Sequence, residues 1–160
     1  MPRKRVEHGP DPIDGLSTEQ LAYLAGLIDG EGALMIVRMG GPRRVYPTIV
    51  IAMTHRGVIE WVSALLGLGT VKLNNHTNLA RGRNCKPQYK VSIHGARAMR
   101  LCAALLPYFK VKADQARVLL RFPPDARLGP GAGLSAENVA LREALRQEIR
   151  RLNHRGKDAA

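Results

Sequence analysis

The chain has 160 residues, 45% of them hydrophobic, and 25 Lys+Arg against 13 Asp+Glu give a formal net charge of +12. That length predicts one domain, or two small halves sharing a core, and the apolar content excludes a largely disordered basic tail. No apolar run approaches the roughly 20 residues that span a bilayer, and the N-terminal MPRKRVEHGPDP has no apolar stretch behind its charges. Cys85 and Cys102 are too few for a disulfide framework or a four-ligand zinc site. The expectation is a soluble intracellular protein of the cytoplasm, nucleoid or an organelle, neither secreted nor membrane-bound. A pI near 10.5 points to a polyanionic partner, nucleic acid first, because each neutralised phosphate releases a condensed counterion. Aromatic residues make up only 4%, which favours a duplex over a single strand stacked on aromatic platforms.

In chain order, residues 1–16 are rich in Pro, Gly and charge and are expected to form a flexible arm, followed by a single domain over 17–160. Ser17 or Thr18 caps a helix running to about Asp29. Ala33–Arg38 and Val45–Ala52 read as strands joined by a turn through Gly40, Gly41 and Pro42. Arg56–Leu66 has apolar residues at helical spacing and stops at Gly67-Leu68-Gly69. Val71–Asn75 and Gln88–Ile93 form a second strand pair, the latter alternating apolar Tyr89, Val91 and Ile93 with polar Gln88, Lys90 and Ser92. Ala96–Leu106 and Ala113–Arg121 are short helices ended by prolines, and residues 125–138 read as a loop. Glu137–Leu152 is an amphipathic helix whose charge run, with Arg142, Arg146, Arg150 and Arg151, reads as a solvated face. The order αββαββαα plus a C-terminal helix is an α+β plan with two antiparallel hairpins.

The most informative segment is Leu21–Gly32, LAYLAGLIDGEG. Ala22, Gly26 and Gly30 recur every four positions and form a narrow groove on one helix face. Such a face lets two helix backbones approach closely, whereas interior glycine otherwise costs roughly 1 kcal/mol per position. Leu24, Leu27 and Ile28 lie on another arc and can bury into the domain's own core. Asp29 and Glu31 end this helix, where carboxylates oppose the macrodipole unless a cation sits nearby. Magnesium prefers such oxygen ligands: carboxylate, backbone carbonyl and water.

The nonapeptide from Leu24 to Gly32, LAGLIDGEG, closely resembles the signature of the LAGLIDADG homing endonucleases, and the order of elements resembles their αββαββα core. The resemblance covers about 17–122, leaving 123–160 as a C-terminal helical extension. It implies an antiparallel, saddle-shaped sheet and two motif helices packed together across a dimer. Because the chain carries one motif, it implies a homodimer with the Ala22, Gly26 and Gly30 face as its interface. Glu31 aligns with the metal-binding carboxylate, Gly30 supplies a main-chain oxygen to the metal, and Asp29 matches the more structural acidic position. In Pro107-Tyr108-Phe109-Lys110-Val111-Lys112, Lys112 is the best match to the family's catalytic lysine, with Lys110 as the alternative. The implied cofactor is Mg2+, with Mn2+ or Ca2+ able to substitute in binding. Met53 departs from the pattern, since relatives often place a polar water-ordering residue there; Thr54, His55 or Arg56 could take its place.

The implied partner is double-stranded DNA, cut on both strands at a long pseudo-palindromic site. Expected contacts are Arg38, Arg43, Arg44, Tyr46 and Thr48 from the first hairpin and its turn. The second hairpin adds Lys72, Asn74, His76, Arg81, Arg83, Gln88, Lys90 and Ser92. Arg and Lys suit guanine edges, Asn and Gln suit adenine, and any of them can equally hold a phosphate. The competing reading is a catalytically weak or inactive binder on the same scaffold, an intron-RNA maturase or a transcriptional regulator. Retention of Glu31 and Lys112 favours the enzyme.

Overall fold

The computed structural model describes residues 9–40, 44–68, 71–74, 86–124 and 133–154. Ser17 decides where helix α1 (Thr18–Glu31) begins. Its hydroxyl accepts from Gln20 N–H, and the Gln20 side chain accepts from Ser17 N–H at 2.9 Å, a reciprocal capping box. Leu24, Ala25 and Ile28 form the arc that α1 buries, each fully inaccessible to solvent. The helix passes directly into β1 (Gly32–Arg38) with no loop between them. A Cβ at Gly32 would stand 2.8 Å from the Ile28 Cα, so this junction admits glycine alone.

β1 pairs with β2 (Val45–Met53), which pairs with β4 (Gln88–His94), which in turn holds the short β3 (Lys72–Asn74). All three pairings are antiparallel, and the strand order is β1-β2-β4-β3. Leu34 and Ile36, Ile49 and Ile51, and Val91 and Ile93 share one face and are buried. Helices α1, α2 (Arg56–Leu65), α3 (Gly95–Leu105), α4 (Ala113–Leu120) and α5 (Ala136–His154) form the layer that packs this sheet. α2 stops where expected, because Gly67 adopts φ +60° and Leu68 N–H closes on the Ser63 carbonyl at 2.7 Å. Among the described residues no helix is long and apolar enough to cross a membrane.

Three expectations change. The arm expected over 1–16 is structured from Asp11 onward, where Asp11 caps a 3-10 turn at Pro12–Gly15 that seats Ile13 in the core. Arg97 and Arg100 pair with Asp11, and Arg100 also pairs with Asp14, tying the turn to α3. The loop expected through residue 138 ends earlier, with Ser135 Oγ accepting from Asn138 N–H to start α5. Arg142 is not on a solvated face. It is 2% exposed, donates to the carbonyls of Pro123 and Pro124, and lies 4.7 Å above the Phe122 ring. The free Cys102 is also buried, and loss of water around it pushes its thiol up to about 12.

Candidate active site

α1 ends at the sheet with its two carboxylates in different circumstances. Asp29 accepts backbone N–H bonds from Lys110 at 2.8 Å, Val111 at 3.2 Å and Lys112 at 2.9 Å. Three donors on one carboxylate fix the 110–112 segment against the end of α1. The Lys112 ammonium, in turn, donates to the Asp29 main-chain carbonyl. Asp29 is thus committed to positioning, and the bond to its carbonyl places the Lys112 amine at the end of α1. Lys110 shares the loop, but its side chain makes no such bond among the described residues.

Glu31 is exposed and makes no hydrogen bond or ion pair among the described residues. Its charge nevertheless reaches Lys112. Burial pulls the Lys112 pKa below the usual ammonium range, while Asp29 and then Glu31 pull it back up. The end of α1 therefore carries an open carboxylate whose charge acts on a partly buried cation.

Hard oxygen donors at this point are the Glu31 carboxylate and the exposed Gly30 main chain, the donor set Mg2+ favours. Among the described residues no three His, Cys, Asp or Glu side chains converge as a metal cluster, and both Asp29 oxygens are occupied by N–H groups. The face of α1 that carries Gly30 is open: Ala22, Gly26 and Gly30 are all exposed, and a Cβ at Gly26 or Gly30 would meet nothing within 4 Å. The fold that demands glycine at Gly32 makes no such demand at these two positions. Beside this face, Tyr23 (52% exposed) stacks edge-on against Trp61 (38% exposed), with ring centroids 5.2 Å apart.

Near Met53, the polar candidates are largely engaged. His55 Nδ1 accepts from Val58 N–H at 3.2 Å as the cap of α2, and Arg56 pairs with Glu60 at 2.6 Å. Thr54 is exposed and makes no hydrogen bond among the described residues.

The open face of the sheet carries six of the expected contacts, Tyr46, Thr48, Lys72, Gln88, Lys90 and Ser92. Register places Ala33, Met35 and Val37 beside Val50, Thr48 and Tyr46, and continues to Ser92 and His94 on β4. Lys72 stands opposite Lys90, and Asn74 opposite Gln88. Cations directly opposed on a sheet repel unless an anion lies over them, which makes this corner electrostatically suited to phosphate. Arg44 is exposed at the start of β2, and its carbonyl accepts from Met39 N–H at 2.8 Å. Arg43, His76, Arg81 and Arg83 lie outside the described residues.

Two expected contacts do not present themselves on the open surface of the sheet. Arg38 shares the phase of Leu34 and Ile36, so its side chain leaves on the helix-covered side and pairs with Glu143 of α5 at 2.7 Å. Thr48 lies on the open face but is 2% exposed, enclosed between Met35 and His94, with its Oγ1 3.1 Å from His94 Nδ1. It supports a neighbour and is not a surface contact. That neighbour, His94, is exposed on the open face and was not among the expected contacts. Its signal was the alternation itself, since it continues the phase of Gln88, Lys90 and Ser92.

No family model and no curated protein matches the chain. Solved structures do. The archaeal intron-encoded homing endonuclease I-Vdi141I, complexed with DNA, aligns over 84% of this chain and 84% of its own at TM-score 0.64 and 17% identity. The homing endonuclease I-CvuI, in complex with the I-CreI target in 2 mM Mg with the DNA not cleaved, aligns over 85% and 96% at TM-score 0.51 and 20% identity. The homing endonuclease I-TnaI aligns over 86% and 96% at TM-score 0.51 and 17% identity. At these identities the likeness is one of fold.

Proposed function

We propose, from the premise that this chain has the fold of the LAGLIDADG homing endonucleases, that it is a site-specific, divalent-metal-dependent DNA endonuclease acting as a homodimer. The observation that carries the reading is the contrast at the end of α1. Asp29 is consumed in holding the Lys112 loop, while Glu31 stands unpaired, its charge acting on the Lys112 cation. A structural helix end has no use for that pairing of a held cation with a free carboxylate. Phosphodiester hydrolysis does.

In this reading two chains meet on the Ala22, Gly26 and Gly30 face, flanked by the Tyr23–Trp61 pair, and bring two Glu31 carboxylates and two Gly30 carbonyls together. Those oxygens would hold Mg2+, which when bound polarises the phosphate and lowers the pKa of attacking water. The chain's own part is positional and electrostatic. Lys112 presents positive charge where the scissile phosphate gains negative charge, and Asp29 fixes the backbone that carries it. The open sheet face, with Lys72, Lys90, Gln88, Ser92 and Tyr46, lies along the major groove, where side chains from alternate positions reach base edges and phosphates. The target is then a long, pseudo-palindromic duplex cut on both strands. That the structurally similar homing endonucleases include DNA complexes supports this partner.

A second reading is a binder on the same scaffold, an intron-RNA maturase or a transcriptional regulator. It is favoured by Met53 and by the engagement of one His55 ring nitrogen and of Arg56 Nε with α2. Selection of bound duplexes from a random library in Ca2+, with sedimentation of the complex, tests the shared part of both readings. The endonuclease reading expects two chains per duplex and a site with approximate two-fold symmetry. One chain per duplex, or selection of RNA over DNA, would contradict it.

A further inference from the structure

β1 is an edge strand, and α5 lies against its free side, with Asn153 Nδ2 donating to the Leu34 carbonyl at 3.0 Å. Between them runs a groove of about 400 Å³, one lip formed by Met35 and Val37 and the other by Arg146 and Arg150. Arg38 also lines it. Arg38 and Arg146 share a single carboxylate, Glu143, at 2.7 and 3.0 Å. Arg150 is exposed and makes no hydrogen bond or ion pair among the described residues. Three guanidinium groups facing one carboxylate leave two positive charges uncompensated, with the exposed His154 at the same groove.

We infer that this groove is a phosphate-binding site for the sugar–phosphate backbone of the bound duplex, outside the stretch that the sheet reads. The inference rests on the DNA-binding reading above and adds a site to it. Met35 and Val37 belong to the open face, so a duplex laid along that face carries its backbone over this lip and onto the guanidinium groups. Arginine suits the task, because its planar fork matches two phosphate oxygens at once. The contact positions DNA without reading sequence. The charged side of α5 is therefore a docking strip.

The test compares wild type with Arg150→Gln and, as a charge-matched control, Arg151→Gln, one residue on and outside the groove. Both positions are exposed, so neither change threatens folding. Binding to the selected duplex and to random duplex is measured against salt concentration. The inference expects Arg150→Gln to flatten the slope of log affinity against log salt by about 1.8, the loss of one phosphate contact from each of the two chains on a duplex, equally for both duplexes. Arg151→Gln should leave the slope unchanged, and trimming the duplex ends should bring wild type and Arg150→Gln together. Equal slopes for all three proteins, with wild-type binding intact, overturn the groove alone. Equal flattening by both substitutions reduces it to net charge and also overturns it. A wild-type chain that binds no duplex overturns the DNA-binding reading and the groove with it.

Discussion

Asp29 and Lys112 are bound to each other twice: the Asp29 carboxylate accepts the Lys112 backbone N–H, and the Asp29 carbonyl accepts from the Lys112 ammonium. Residues 83 positions apart are thereby locked at both backbone and side chain. Asp29→Ala strips three N–H groups of their acceptor and should cost about 1–3 kcal/mol of stability by denaturant unfolding. The same variant should cut DNA at least about 100-fold more slowly, the scale of a lost electrostatic stabiliser, because its Lys112 is no longer held. Binding to target in Ca2+ should change little. A variant that is destabilised but cuts at the wild-type rate would show that the Asp29 bonds serve folding only.

Lys112 should show an opposition between stability and activity. Burial lowers its pKa, so its ammonium is the form the folded state disfavours. That penalty is present below the folded pKa and is relieved as pH rises through the folded value toward the unfolded one. Lys112→Met should accordingly be at least as stable as wild type at neutral pH while cutting about 100-fold or more slowly. The wild-type rate should fall on the alkaline side at a lower pH than an ordinary lysine would give, and Lys112→Arg should move that fall upward. An alkaline limb unaffected by Lys112→Arg would contradict the assignment.

The glycines of α1 give a prediction about assembly. Gly26 has nothing near it in the single chain, so Gly26→Leu should leave the monomer folded, with circular dichroism and melting close to wild type. In the dimer the added side chain would stand between two helix backbones. Light scattering should report a monomer, and cleavage should be lost. A Gly26→Leu protein that stays dimeric places the interface elsewhere.

Arg142→Ala should be among the most damaging substitutions outside the site. It removes the donor to two proline carbonyls and to Asn138 Oδ1, and the cation over Phe122, from a position 2% exposed. A loss of about 3 kcal/mol is expected from denaturant unfolding. Arg142→Lys should recover little of it, since an ammonium cannot span these acceptors as a planar fork does.

The sequence made α1, both hairpins and the phase of the open sheet face legible, because period 3.6 and period 2 are local properties and the capping and turn residues agree with them. Glu31 was reached both as a carboxylate at a helix end and by resemblance to a known motif, and Lys112 by the resemblance alone. Other features depend on partners distant in sequence. Nothing local shows that Asp29 will receive three N–H groups from residues 110–112, or that Arg142 will be drawn from its charge run onto Phe122. Arg38 was readable, since it falls in phase with Leu34 and Ile36, but its charge outweighed its register. Asp11-Pro12 was readable too, as a capping residue before proline, within a stretch whose composition suggested an arm.

The most direct test of the central claim is cleavage of a randomised duplex library in Mg2+ by wild type beside Glu31→Gln. Glu31 is exposed and unpaired, so the variant should fold and should bind the selected duplex in Ca2+ about as well as wild type. The account predicts site-specific double-strand cuts by wild type and none by Glu31→Gln. Sequence-specific binding by both proteins with no cuts in Mg2+ or Mn2+, or cutting that survives Glu31→Gln, would contradict it.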